Sequence, residues 1–152
     1  MWHFADRSFT LSDHSLSEHS WEGAKMEASA TLTIPRMFSD AAGECRFDQT
    51  DIPLVMKEYA PPAAPVTVST SIQTGQCVFM RIPPGFVGDQ HPSPQKQLVV
   101  CVSGAARFRG SDEATHVLRA GESLIDANTE GPGHVSEVIS DVPFEAYLIA
   151  LT

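Results

Sequence analysis

The chain has 152 residues, of which 42% are hydrophobic and 19% are charged, a balance typical of one folded globular domain. Its formal net charge is −9, and its pI is about 4.9. This acidity argues against nucleic acid or an anionic membrane surface as a partner, since both need a basic protein face.

The cysteine pattern indicates a reduced protein. Cys45, Cys77 and Cys101 form no C-x-x-C pair, so neither a disulfide framework nor a zinc knuckle is expected. The N-terminus lacks the basic region and apolar core of a signal peptide. No apolar run approaches the length of a membrane span. We therefore expect a cytoplasmic location and no membrane as a partner.

Residues 1–30 differ in composition from the rest of the chain. They are rich in Ser, His, Glu and Asp, and their apolar residues keep no steady period. We predict an N-terminal extension, either a flexible arm or a strand lent to a partner. His3, His14 and His19 lie here without regular spacing, so we predict no metal site among them.

Residues 31–152 carry the pattern of an all-β domain. Short apolar or alternating segments are separated by Gly, Pro, Ser, Asn or Asp, as strands are by turns. Only "DIPLVMKEYA" could contain a helical turn, and Pro53 weakens even that. This spacing favours a sandwich or a barrel. The predicted strands lie in "TLTIPRMF", "QCVFMRI", "QLVVCVSG", "ARFRG", "THVL", "ESLIDA", "HVSEVI" and "FEAYLIAL".

Two predicted strands, "QLVVCVSG" and "AYLIAL", are apolar at consecutive positions. A strand with one wet face should alternate between apolar and polar residues. Continuous apolarity predicts burial on both faces, and a second subunit would cover the outer face of a small barrel. We therefore expect a homodimer.

The stretch "GDQHPSPQKQ" places polar side chains at the start of a strand. Because side chains two residues apart share a strand face, His91, Ser93 and Gln97 are candidates for one face. Val99 and Cys101 continue the Gln97 face inward. A second histidine, His134, follows the Gly-Pro-Gly turn of "DANTEGPGHVSEV" and opens a strand. Both histidines are therefore candidates for the mouth of the barrel interior.

These two stretches resemble the two motifs of the cupin superfamily. Gly85, His91, Ser93, Gln97 and Gly104 match the spacing of its first motif, which has His at the Ser93 position and Glu at the Gln97 position. The second motif resembles "AGESLIDANTEGPGHVSEV", with its Gly at Gly121 and its His at His134, although its usual Pro is missing. The resemblance is to small single-domain cupins. It implies a double-stranded β-helix, or jelly-roll barrel, over about residues 31–152.

The departures from the first motif bear on the cofactor. Cupin enzymes with the full motifs hold Fe, Mn, Ni or Zn, whereas here only His91 and His134 remain, with Gln97 as a neutral oxygen ligand. An amide in place of a carboxylate makes a poor, open site for a divalent ion. Glu137 and Asp89 do not obviously complete the set. We therefore expect no cofactor, and we keep a divalent metal held by His91, His134 and Gln97 as the alternative.

Without a metal, the same groups suit acid–base catalysis. Histidine titrates near neutral pH, so His91 and His134 would supply an acid and a base. A neutral amide such as Gln97 could orient a histidine or the substrate, and Ser93 could donate a hydrogen bond to a developing oxyanion. If the Phe79 face of its strand points inward, Arg81 would bind an anionic group near the pocket; a surface Arg is the alternative. The other candidate pocket residues are apolar or aromatic: Phe79, Cys101, Phe108 and Tyr147.

Three hypotheses follow from these residues. The first is an enzyme that isomerises, cyclises or dehydrates an apolar or aromatic small molecule, in the manner of the metal-free cupins, with secondary metabolism as its candidate setting. The second is a metal-dependent cupin such as a dioxygenase. The third is a non-catalytic module that binds a small ligand. The fold alone does not separate them, because the same fold hosts all three.

Overall fold

The computed structural model describes residues 30–152, and every described element is a strand. This confirms the all-β prediction. Residues 1–29 of the predicted N-terminal extension, with its three histidines, lie outside the described residues, whereas Ala30 begins the first strand. The strands are β1 (Ala30–Ser39), β2 (Cys45–Lys57), β3 (Val66–Val68), β4 (Thr74–Ile82), β5 (Gln97–Ser103), β6 (Ala105–Arg109), β7 (Thr115–Arg119), β8 (Ser123–Ala127), β9 (Val135–Val138) and β10 (Phe144–Leu151).

Two sheets enclose the core. One has seven strands in the order β3-β2-β1-β8-β5-β10-β4, and the other has three in the order β7-β6-β9. The pairs are antiparallel except β1 with β8. Side chains from both sheets form one buried cluster, which explains why the strand segments carry apolar residues at alternate positions. Its members include Met37, Val99, Leu124, Phe144 and Ala146 from the large sheet and Ala106, Phe108, Leu118 and Val138 from the small one.

The segment "DIPLVMKEYA" contains no helical turn. Residues Asp51–Lys57 of this segment belong to β2, which pairs antiparallel with β1 from Ala30↔Leu54 to Ser39↔Cys45. The ladders with β1 and with β3 supply backbone hydrogen bonds as far as Lys57, and these outweigh a weak local helical preference. The expectation of a turn here is wrong because pairing with the neighbouring strands β1 and β3 decided the conformation.

The face of strand β4 that carries Arg81 points away from the barrel interior, so Arg81 does not reach the pocket. Its register with β10 sets Met80 against Ala146, which is completely buried, and Phe79 against Tyr147. Met80 and Ile82 therefore point into the barrel. Phe79 and Arg81 point outward because neighbouring side chains on a strand alternate between faces.

Among the described residues there is no helix long and apolar enough to cross a membrane.

Candidate active site

A cavity of about 330 Å³ opens between the two sheets, and both motif histidines lie on its wall. His91 and His134 form an antiparallel backbone pair, with N–H donating to C=O at 3.0 Å in each direction. Their ring centroids are 5.2 Å apart. This pairing joins the loop before β5 to the start of β9, so the two motifs meet although 43 residues separate them in the sequence.

The Gly-Pro-Gly turn allows this pairing. Gly133 has φ +83°, a backbone region that disfavours residues with a Cβ. A Cβ at this position would lie 2.0 Å from the carbonyl carbon of His91. Only glycine lets the two backbones approach so closely, which gives the turn of the second motif a direct structural role.

Each histidine ring has its Nδ1 atom engaged. The Nδ1 of His91 lies 2.7 Å from the backbone oxygen of Asp89, and a carbonyl oxygen only accepts hydrogen bonds. The Nδ1 of His134 lies 3.0 Å from Oδ1 of Asn128, which also only accepts. In both neutral rings the proton therefore sits on Nδ1, and Nε2 carries the lone pair.

The two histidines differ in burial. His91 is exposed, whereas His134 is only 3% exposed. Burial lowers the pKa of His134 below its ordinary value of 6.5, and the nearby His91 lowers it further, while the charge of Asp126 opposes both effects. The neutral form of His134 is thus favoured at neutral pH, as a general base requires.

A buried carboxylate, Asp126, organises the remaining polar groups. It is 4% exposed and lies on β8 opposite Gln97 of β5. Its Oδ2 accepts hydrogen bonds from Oγ of Ser93 and, at 3.2 Å, from Nε2 of Gln97. Its Oδ1 accepts from the backbone N–H of Asn128 at 3.2 Å. Three donors therefore surround one carboxylate inside the barrel.

These bonds correct two details of the predicted roles. The hydroxyl proton of Ser93 is given to Asp126, so Ser93 offers the cavity lone pairs and does not donate to a developing oxyanion. The neutral amide that orients a histidine is Asn128 acting on His134; the amide nitrogen of Gln97 is directed at Asp126.

The predicted substrate-binding residues divide into two groups. Ser93, Gln97 and Phe108 line the cavity together with the histidines. Phe79, Arg81 and Tyr147 do not: the two aromatic rings pack against each other on the outer face with centroids 5.3 Å apart, and Arg81 donates from Nε to Oε1 of Glu145 at 2.6 Å. Their predicted position in the pocket is wrong because the register of β4 with β10 turns them outward.

Cys101 also lies away from the cavity. Its side chain is buried in the core at 2% exposure, and its Sγ donates to the backbone oxygen of Ser103 at 3.4 Å. Burial raises the pKa of its thiol, which makes it a packing residue and a poor nucleophile.

Asp126 and Asn128 had no role in the sequence-based model. A signal for Asp126 was present, because it shares a strand face with Leu124 in "SLIDA", and a carboxylate at an inward position needs partners. Asn128 gave no comparable signal, since Ser39 lies 89 residues away at the end of β1 and His134 lies beyond the Gly-Pro-Gly turn.

The polar groups do not fit a metal ion of the kind that the full cupin motifs hold. Within residues 30–152, no three His, Cys, Asp or Glu side chains are placed to hold one ion. Of the described residues, Asp126 is the buried carboxylate near the histidines, and protein donors occupy both of its oxygens. Gln97 would contribute only a neutral amide oxygen.

The remaining wall of the cavity is mainly apolar, and within the described part of the chain no Arg or Lys lines it. Glu137, which borders the cavity, pairs with Arg107 at 3.0 Å. The lining residues, besides those already named, are Met80, Ile82, Phe86, Pro94, Val99, Ala106, Ser136, Val138, Phe144 and Leu148. Such a wall suits an uncharged, largely apolar ligand.

The solved structures similar to this chain include cupin proteins and sugar epimerases. A cupin domain from Bordetella pertussis Tohama I is 19% identical, with a TM-score of 0.42 over 65% of this chain and 93% of its own. The dTDP-6-deoxy-D-glucose-3,5-epimerase RmlC from Legionella pneumophila Philadelphia 1, in complex with dTDP-4-keto-L-rhamnose, is 15% identical, with a TM-score of 0.42 over 81% and 73% of the two chains. NovW, a 4-keto-6-deoxy sugar epimerase from the novobiocin cluster of Streptomyces spheroides, is 19% identical, with a TM-score of 0.40 over 86% and 73%.

No protein-family model and no curated protein sequence matches this chain. The two-sheet topology and the pairing of the two motif histidines at the cavity give the chain a small cupin-type fold.

Proposed function

We propose that the protein is an enzyme that moves a proton on an uncharged, apolar or aromatic small molecule, without a bound cofactor. The observation that carries this proposal is the histidine pair: two rings 5.2 Å apart on one apolar cavity, each with Nδ1 bonded to an acceptor. Each ring thus keeps Nε2 for the ligand.

The difference in burial assigns the roles. His134, whose neutral form burial favours, takes a proton from a carbon next to a carbonyl group through Nε2. His91, in its protonated form, gives a proton to the carbonyl oxygen through its own Nε2. The product of this step is an enol, and Ser93 and Gln97 contact the substrate. Isomerisation, cyclisation and dehydration can all begin from this step.

The cavity wall sets the substrate class. Nucleotide sugars carry a pyrophosphate, and protein sites bind such anions with Arg, Lys or helix N-termini. Among residues 30–152, the lining of this cavity includes no Arg or Lys, and it includes the carboxylates of Asp126 and Glu137. We therefore propose a neutral substrate and not a phosphorylated sugar. A role in secondary metabolism and a cytoplasmic location stay as predictions from the sequence.

Deuterium exchange tests the proton transfer without knowledge of the natural substrate. We expect the wild-type protein in D2O to speed deuterium uptake into neutral ketones such as indanone or phenylacetone. Mass spectrometry of the ketone measures this uptake. General acid–base groups contribute on the order of 100-fold, so His134→Ala and His91→Ala should each lose at least about tenfold. His116→Ala is the matched control, since His116 lies in β7 and does not line the cavity.

Each alternative function has its own outcome in this experiment. A rate that disappears after dialysis against a chelator and returns with Fe, Mn, Ni or Zn would favour the metal-dependent hypothesis over ours. Binding of ketones in calorimetry with no exchange in any of them would favour the non-catalytic ligand-binding module.

We further propose that the protein forms a homodimer through the outer face of the large sheet. Phe79 and Tyr147, which are 49% and 46% exposed, form an aromatic pair there, and Val102 on β5 is 48% exposed. A patch of large apolar side chains on a sheet is typical of an interface between subunits.

Light scattering with size-exclusion chromatography checks this surface. We expect a dimer for the wild type and a monomer for Tyr147→Glu, because the new carboxylate would be desolvated in the interface. Tyr59→Glu, at a residue that is 70% exposed after β2, should stay dimeric. A monomeric wild type at high micromolar concentration would contradict the proposal.

A further inference from the structure

Asn128 is a fully buried residue whose backbone is fixed between the two motifs. It directly follows β8 and is 0% exposed. Its N–H donates to Oδ1 of Asp126 at 3.2 Å, and its C=O accepts from the N–H of Ser93 at 2.7 Å. The backbone of Asn128 therefore connects β8 directly to the loop that carries His91 and Ser93.

The side-chain amide of Asn128 can be oriented in only one way. Its Nδ2 lies 3.4 Å from the backbone oxygen of Glu130, which can only accept, so this end of the amide is the NH2 group. The same Nδ2 donates to Oγ of Ser39 at 2.8 Å, and Ser39 in turn donates to the Glu130 oxygen at 2.9 Å. The Oδ1 of Asn128 therefore faces Nδ1 of His134.

This orientation determines where the proton of neutral His134 sits. In water, neutral histidine prefers its proton on Nε2, whereas Oδ1 of Asn128 accepts a hydrogen bond only from a protonated Nδ1. Among the other charged or titratable groups near His134, Asp126 is bonded to Ser93 and Gln97, Glu137 to Arg107, and the Nδ1 of His91 to Asp89. Within the described residues, Asn128 is thus the one acceptor for Nδ1.

We propose that Asn128 is a positioning residue that holds His134 in the Nδ1–H tautomer, so that Nε2 faces the cavity as a base. Ser39 supports it by holding the amide in the required orientation. The inference deepens the proposed function and rests on it for its catalytic meaning. The tautomer itself is a property of the free protein and is measured without any substrate.

Nitrogen NMR tests the tautomer directly. The protein is labelled with 15N-histidine and studied at alkaline pH, where the histidines are neutral, by long-range 1H–15N correlation. We expect His134 to be almost entirely the Nδ1–H form in the wild type. In Asn128→Leu the Nδ1–H population should fall below half, whereas Asn128→Asp, which keeps an oxygen acceptor, should retain it. Ser39→Ala should give an intermediate population.

The controls separate this role from a general structural one. His116 has no contact with Asn128, so its tautomer should stay the same in every variant. If Asn128→Leu does not fold, the His134 tautomer in the wild type and in Ser39→Ala still tests the inference. An Nε2–H form of His134 in the wild type, or an unchanged Nδ1–H population in a folded Asn128→Leu variant, overturns the inference.

The exchange assay distinguishes failure of this inference from failure of the proposed function. With both correct, Asn128→Leu loses at least tenfold of the deuterium-exchange rate and Asn128→Asp keeps most of it. The expected tautomers with no exchange by the wild type would contradict the function and leave the positioning role of Asn128 standing.

Discussion

Gly133→Ala is expected to lower the free energy of unfolding by about 4 kcal/mol, as the sum of backbone strain and overpacking. The φ of +83° is unfavourable for alanine, and the new Cβ would lie 2.0 Å from the carbonyl carbon and 2.1 Å from the carbonyl oxygen of His91. These contacts are with backbone, which has no rotamer to change. Relief requires separation of His91 from His134, so the histidine pair is lost as well. Chemical denaturation measures the stability.

Gly121→Ala is the matched control for this variant. Gly121 has a similar φ of +86°, but a Cβ there would meet no atom within 4 Å. It should therefore show only the strain of a left-handed residue, about 1–2 kcal/mol. Equal losses of unfolding free energy in the two alanine variants would mean that the close approach of the His91 backbone does not add to the cost of Gly133→Ala.

Asp126→Leu is expected to cost about 3 kcal/mol, because it leaves three donors inside the barrel without their acceptor: Ser93, Gln97 and the backbone N–H of Asn128. Ser93 and Gln97 are 5% and 8% exposed, and both now donate to this carboxylate. Asp126→Asn should cost less, since an amide keeps the shape and one acceptor oxygen. Denaturant titration of the three proteins gives these differences.

A double variant shows whether the loss comes from the unpaired donors. Removing the hydroxyl in Asp126→Leu/Ser93→Ala should recover about 1 kcal/mol relative to Asp126→Leu alone, as expected for coupled neighbours. Asp48→Asn serves as the surface control: its ion pair with Arg36 is solvent-exposed and should contribute under about 1 kcal/mol. Additive losses for Asp126 and Ser93 would show that the two residues do not act as one network.

The sequence alone determined the class of fold and the two histidines of the candidate site. Short segments with a period of two, separated by Gly, Pro and Asn, predict strands because side chains alternate across a sheet. The spacing around His91 and the Gly-Pro-Gly turn before His134 identified the two histidines. The inward face of β5 could be predicted because Gln97, Val99 and Cys101 are two residues apart and therefore share one face of the strand.

The face that β4 turns inward required the tertiary structure. Phe79 and Met80 are both apolar, so the local pattern does not distinguish the faces, and the register against β10 decides between them. The polar network is likewise non-local: Ser93 meets Asp126 across 33 residues and Asn128 meets Ser39 across 89. A hydrogen bond needs only proximity in space, so the roles of Asp126 and Asn128 became visible only when β1, β5 and β8 were brought side by side.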